Sequence, residues 1–131
     1  MQLRSEAELA GVNGTTDEAF ATWTSLFRDG EVVERVQLDN HGPDGTSTMT
    51  IGTVRLAGFE IKAGDFGPMF SPTPAISFFV ECETTEEVDT LWNALIEGGF
   101  ALMELDEYPF SERYGWLQDR FGVNWMVYVA P

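Results

Sequence analysis

The stretch TTEEVDTLWNALIEGG, residues 84–99, reads as a capped amphipathic helix, and TTDEAFATWTSLFRDG, residues 15–30, reads as a second version of it. Each opens on two threonines able to supply an N-cap, followed by acidic residues in the first turn, where the helix dipole favours negative charge. In the later stretch Val88, Leu91, Trp92, Leu95 and Ile96 fall on one face at helical spacing, and Gly98-Gly99 supplies a stop. In the earlier one Ala19, Phe20, Trp23, Leu26 and Phe27 form the equivalent stripe, ending at Gly30. Superposed at an offset of 69 residues, the two agree at Thr, Thr, Glu, Trp, Leu and Gly, and positions 88, 92, 95 and 96 are apolar in both.

Capping and periodicity alone force some agreement between any two such helices, so the flanking segments decide. EVVERVQL, a loop containing DNHGPDGT, STMTIGTVRL, a short Ala-Gly turn and FEIKAG follow the first helix; the β-branched and aromatic content marks three strands. After the second come FALMEL, a loop containing DEYPFSE, YGWLQD, the turn RFG and VNWMVYV. AISFFVEC before the second helix is a strong alternating strand, and EAELAGVN before the first is a weaker one. The order repeats as strand, helix and three strands. GPMFSPTP between the halves carries three prolines and suits an extended connector. The expected fold class is therefore α+β, with two tandem βαβββ modules in a single domain over 1–131: module 1 at 1–66, a linker at 67–74 and module 2 at 75–131. Each module exposes a sheet face that it cannot bury alone. With helices on one side of each sheet, the curved mixed sheets are expected to enclose a cleft on the other. Glycines 42, 45, 52, 58, 64 and 67 are expected in loops and hairpins.

Composition narrows the function. The chain has 131 residues and a formal net charge of −15, a field that repels nucleic acid and anionic membrane surfaces. No apolar run approaches the roughly 20 residues that span a bilayer, and the first residues, MQLRSEAELA, lack a signal-peptide core, so a cytoplasmic protein is expected. Cys82 is the sole cysteine, which excludes an internal disulfide and a cysteine-based metal cluster. At the end of an apolar strand it reads as a small hydrophobe rather than a nucleophile. The sole histidine, His41, sits in the turn-like NHGPDG. The turns entering both helices are Thr-rich, so neither offers the Gly-rich loop of a Rossmann-type methyl-donor site.

The segments PAISFFVECETTEEVDTLWNALIEGG and EYPFSERYGWLQDRFGVNW resemble the PhnB-like branch of the glyoxalase/bleomycin resistance/dioxygenase (vicinal oxygen chelate) superfamily, often labelled 3-demethylubiquinone-9 3-methyltransferase-like. GTTDEAFATWTSLFRDGEV and the hairpin around VRLAGFEI match more loosely. The resemblance implies paired βαβββ modules, a homodimer in many members, and a concave sheet that holds a divalent metal in active ones. Ligands in those relatives are a His or Glu at the start of each module's first strand and a Glu near the end of its last. Carried over position by position, they fall on Ala75, Met126 and Ala7, with Glu60 as the one carboxylate, so no resident metal is expected.

Alternation along the last strand turns Asn124, Met126 and Tyr128 toward the cleft, and Trp125, Val127 and Val129 toward the helices. The expected ligand-binding residues are Ser77, Phe79, Trp116, Asn124, Met126, Tyr128 and Glu60, a sparse polar set on apolar walls that suits a small hydrophobic or aromatic molecule. The side to which Trp116 turns depends on the length of the following turn. YPFSERYG, with Glu112 and Arg113, reads as a lid, a surface loop or a dimer contact. Two functional classes follow: a metal-free binding protein, or a lyase, isomerase or dioxygenase using Glu60 with other carboxylates, or with a partner chain's residues, around a divalent ion. A dimeric scaffold whose cleft is filled by its own side chains is a third. No catalytic residue is assigned.

Overall fold

The computed structural model describes the backbone of residues 6–9 and all atoms of residues 16–39, 49–65 and 73–131. The chain divides into two compact units, Met1–Ser71 and Pro72–Pro131. The described residues of the first form β1 (Glu6–Leu9), α1 (Thr16–Leu26), β2 (Glu31–Leu38), β3 (Met49–Leu56) and β4 (Phe59–Gly64). Those of the second form β5 (Phe78–Cys82), α2 (Thr85–Leu95), β6 (Phe100–Tyr108), β7 (Ser111–Gln118) and β8 (Asn124–Val129). Both are βαβββ, with strand orders β1-β4-β3-β2 and β5-β8-β7-β6. The first strand of each unit runs parallel to the last, and the other pairs are antiparallel. His41 and most of the proposed linker lie outside the described residues.

The helices occupy equivalent positions, each 11 residues long and 69 apart in sequence. Thr84 caps α2: its side chain accepts from the Glu87 backbone N–H at 3.1 Å, the first half of a Thr-x-x-Glu capping arrangement. Val88, Leu91, Trp92 and Leu95 are buried along one face. The helix ends as the Ile96 N–H donates to the Trp92 carbonyl, and Gly98 then takes a left-handed φ of 79°. In α1 the buried stripe is Ala19, Phe20 and Trp23, and Thr16 Oγ1 donates to Asp65 Oδ1 at 2.7 Å, tying the helix start to the end of β4. Asp29, at the place of Gly98, has φ 56°.

In both units an aromatic ring of the helix lies over a glycine in the third strand. A Cβ at Gly115 would fall within the Trp92 indole, and one at Gly52 would stand 2.7 Å from the Phe20 ring. Gly52 and Gly64 thus lie inside β3 and β4 rather than in loops; the helix packs close enough to the sheet at Gly52 that a side chain would not fit. Val54, Ile61 and Ala63 complete the first core, and Leu117, Trp125 and Val127 the second.

The segment read as a lid, a surface loop or a dimer contact forms a hairpin. β6 runs to Tyr108 and β7 starts at Ser111, leaving Pro109 and Phe110 as a two-residue tip. Pro109 stands where no ladder hydrogen bond is required of it, and Tyr108, Phe110 and Tyr114 pack as one cluster, with ring centroids 4.9–5.6 Å apart. Arg113 points to the helix side, where its Nε donates to Asp89 Oδ1 of α2 at 2.7 Å.

Candidate functional site

Alternate residues of a strand share a face, and residues directly paired across strands share it too, so register assigns side chains to the two sides of a sheet. In the second unit Leu117, Trp125, Val127 and Val129 are buried on the side packed against α2, with Gly115 beneath Trp92. The far side is crossed by three rows of paired residues. In spatial order β5-β8-β7-β6, the middle row is Phe79, Met126, Trp116 and Met103. On one flank stand Glu81, Tyr128, Tyr114 and Asp106; on the other, Asn124, Gln118 and Phe100.

Phe79 is 68% exposed and meets Tyr128 edge to face, with centroids 6.2 Å apart. Met126, Trp116, Met103 and Tyr128 are half-buried. The Trp116 indole N–H donates to Ser77 Oγ at 3.1 Å, and that hydroxyl donates to the Pro74 carbonyl at 3.1 Å. Ser77 just precedes β5, so this bond places the Trp116 ring on the far side, the orientation that turn length left open. Asn124 is 1% exposed and its amide is used internally: Oδ1 accepts from Gln118 Nε2 at 3.1 Å and Nδ2 donates to the Gly122 carbonyl at 3.4 Å. Six of the seven expected residues, Ser77, Phe79, Trp116, Asn124, Met126 and Tyr128, thus gather on one side of one sheet. Glu60 belongs to the first unit, in the row Glu60, Arg55 and Glu31, where Arg55 donates to Glu60 at 3.0 Å and to Glu31 at 3.1 Å.

The positions marked for metal ligands do not suit a hard divalent ion. Ala75 is an exposed methyl, Met126 offers a thioether, and Glu60 is already neutralised by a guanidinium. Among the described residues no three His, Cys, Asp or Glu side chains converge as a metal site. Cys82 is no better suited to covalent chemistry, since burial, reinforced by the Glu87 charge, pushes its thiol up to about 11. Burial and the neighbouring Tyr108 also raise the Tyr114 phenol.

Two residues escaped the sequence reading. Asp119, 4% exposed, accepts through Oδ1 from the Phe121 and Val123 backbone N–H groups at 3.0 and 2.9 Å, and through Oδ2 from the Trp125 indole at 2.9 Å. It fixes the β7–β8 turn and hence the register that presents Trp116 beside Met126; the signal was the Asp of DRFG. Met103 is the other. The register shifts along β6 break its period of two, so no alternation could assign it a side.

Comparison with known proteins agrees with this architecture. A family model described as 3-demethylubiquinone-9 3-methyltransferase matches residues 11–128. The PhnB protein from Bacillus cereus is 37% identical, with a TM-score of 0.86 over 99% of this chain and 100% of that one. Protein PA1353 from Pseudomonas aeruginosa is 23% identical, with a TM-score of 0.77 over 98% of each chain. A glyoxylase/bleomycin resistance protein/dioxygenase domain from Frankia sp. EAN1pec, 15% identical, shares the fold at a TM-score of 0.69, covering 100% of this chain and 93% of that one. Among curated proteins the sequence finds no match. Neither described helix is long and apolar enough to cross a membrane. A repeated βαβββ plan, shared as a fold with the glyoxylase/bleomycin resistance protein/dioxygenase domain, a family match over most of the chain and a relative 37% identical along its length lead to one assignment: the chain belongs to the PhnB-like 3-demethylubiquinone-9 3-methyltransferase family.

Proposed function

We propose that this chain is a cytoplasmic, metal-free binding protein, acting as a homodimer, that holds a small hydrophobic or aromatic molecule on the far side of its second sheet. The observation that carries this reading is the unbroken row Phe79, Met126, Trp116 and Met103, four large apolar side chains abreast on four strands. Protein surfaces seldom expose such a row without use, and planar rings with polarisable thioethers suit a flat apolar guest. The Ser77 hydroxyl and the Tyr128 phenol are among the polar groups at its edge. Where a Gly-rich loop would cradle a methyl donor, the start of α2 is closed by its own Thr84 cap and surrounded by Glu83, Glu86 and Glu87. The methyl transfer in the family's description is therefore not assigned to this chain.

Two measurements test the reading. Elemental analysis of protein purified without a chelating tag should find well under one equivalent of Zn, Mn, Fe or Ni; near-stoichiometric metal would overturn it in favour of a metal-dependent lyase, isomerase or dioxygenase. Titration with the neutral fluorophore N-phenyl-1-naphthylamine should show saturable binding that Phe79→Ala weakens by about tenfold, while its melting temperature moves little because Phe79 is 68% exposed. Undiminished binding by the variant removes Phe79 from the site.

A further inference from the structure

Resting on that proposed site, we infer that its guest is an organic cation, an aromatic or hydrophobic body bearing one positive charge, rather than a neutral or acidic molecule. The apolar row is bordered along one side by Glu81, Tyr128, Tyr114 and Asp106, a half-buried Tyr128 phenol beside a buried Tyr114 ring, with a carboxylate at each end. Glu81 and Asp106 are exposed, so their charges stand at the surface. Neither makes an ion pair with a described residue. The second unit contains eleven carboxylates and two arginines. Both arginines are engaged elsewhere: Arg113 turns to the helix side and pairs with Asp89, and Arg120 lies over the Phe121 ring at 4.4 Å, beside Gly98. The far side of this sheet thus presents aromatic faces and negative charge with no basic side chain in its rows.

That pairing selects charge type by two additive effects. A cation lying over a Tyr or Phe ring within about 6 Å is attracted to the ring's negative face, more strongly as it loses water. Neighbouring strands lie about 4.7–4.9 Å apart, so a charge seated on Tyr128 is within reach of its paired residue Glu81 and meets carboxylate attraction as well. The flat body of the same molecule covers Phe79, Met126 and Trp116. An anion would meet repulsion from both carboxylates and from the ring faces.

The test uses three tricyclic probes of one shape on the intact chain: 10-methylacridinium, neutral 9-methylanthracene and anthracene-9-carboxylate, followed by calorimetry or by Trp quenching. The cation should bind about tenfold or more tightly than the neutral isostere, the carboxylate should not bind measurably, and the preference should shrink as salt rises. Glu81→Gln with Asp106→Asn should remove most of the preference, whereas Glu86→Gln with Glu97→Gln, an equal change in net charge on and just beyond α2, should keep it. Equal affinities for the cation and the neutral isostere would overturn this inference and leave the hydrophobic site standing; equal loss of preference in the two double variants would overturn it by assigning the selectivity to net charge alone. Failure of all three probes to bind would overturn the proposed site together with it.

Discussion

On β3 and β4 the residues turned away from α1 include Thr53, Arg55, Glu60 and Lys62; on β7 and β8 those turned away from α2 include Tyr114, Trp116, Met126 and Tyr128. The strands are the same ones of the same plan, yet the first set is polar, with Arg55 bridged to Glu60, while the second is aromatic and thioether. Toward the helices the units agree instead: a buried Trp on each helix, a glycine beneath an aromatic ring, and aliphatic residues around it. Each unit also ties a strand to its helix by an Arg–Asp bridge, Arg35 to Asp17 at 2.6 Å and Arg113 to Asp89 at 2.7 Å. The Arg35 bond holds the Asp17 carboxyl below its usual range. Packing against a helix permits few solutions, because volume and close approach are fixed there. The far side has no such constraint, and that is where the two copies differ.

The agreement on the helix side is most readily broken at the tryptophans. Trp23 is 0% exposed and Trp92 6% exposed, and replacing either with Ala should cost about 3 to 5 kcal/mol in urea unfolding, the range for a large buried aromatic. A cost confined to one of them would show that the helices are not equivalent supports, and would restrict the pseudo-symmetry to the backbone.

The glycines sharpen the comparison by separating two kinds of crowding. An added methyl at Gly115 meets the Trp92 ring first, whereas at Gly52 it meets the Glu34 carbonyl at 2.6 Å as well as Phe20. Either Gly→Ala change should cost about 1 to 3 kcal/mol through overpacking, with Gly52→Ala the worse because backbone yields less readily than a side chain. In a Trp92→Leu background Gly115→Ala should become nearly neutral, while Phe20→Leu should relieve Gly52→Ala only in part; thermodynamic double-mutant cycles read both couplings. Equal relief at the two sites would mean that the Glu34 carbonyl gives way as easily as a ring.

These features differ in how far the sequence reveals them. The helix pair and β2 and β4 were legible with nearly their final bounds, because a Thr cap, an apolar stripe and β-branched runs are local signals. The side to which Asn124, Met126 and Tyr128 turn was legible too, since β8 keeps a strict alternation with Trp125, Val127 and Val129 buried against α2. What failed depends on distant partners. Pro109 among aromatics reads as a loop until the Tyr108–Phe110–Tyr114 stacking that holds the hairpin tip is known. Trp116 is oriented by its pairing with Met126 and by a hydrogen bond to Ser77, 39 residues away. Met103 is hidden by the shifts in β6, and the engagement of Asn124 by Gln118 follows from pairing that composition does not encode.

The smallest expected effect lies where the copies solve one problem with different residues. Both helices are followed by a left-handed residue, Gly98 with φ 79° after α2 and Asp29 with φ 56° after α1, and the next amide closes the turn in each case, Gly99 to Ile96 at 2.8 Å and Gly30 to Phe27 at 3.2 Å. Glycine adopts this conformation without steric cost, while Asp carries a Cβ penalty and places a negative charge at the negative end of the helix dipole. The Asp29 contact with Arg28, 3.8 Å long between side chains 79% and 77% exposed, offsets little of that. Glycine also gives the unfolded chain more freedom, which returns part of the gain. Asp29→Gly should therefore raise stability by about 0.5 kcal/mol, and Gly98→Asp should lower it by about 1 kcal/mol, since the new Cβ also stands 3.0 Å from Arg120 Cβ. Urea midpoints moving in opposite directions would show one turn geometry closing both helices; a fall for Asp29→Gly would mean that the aspartate side chain itself holds the first turn shut.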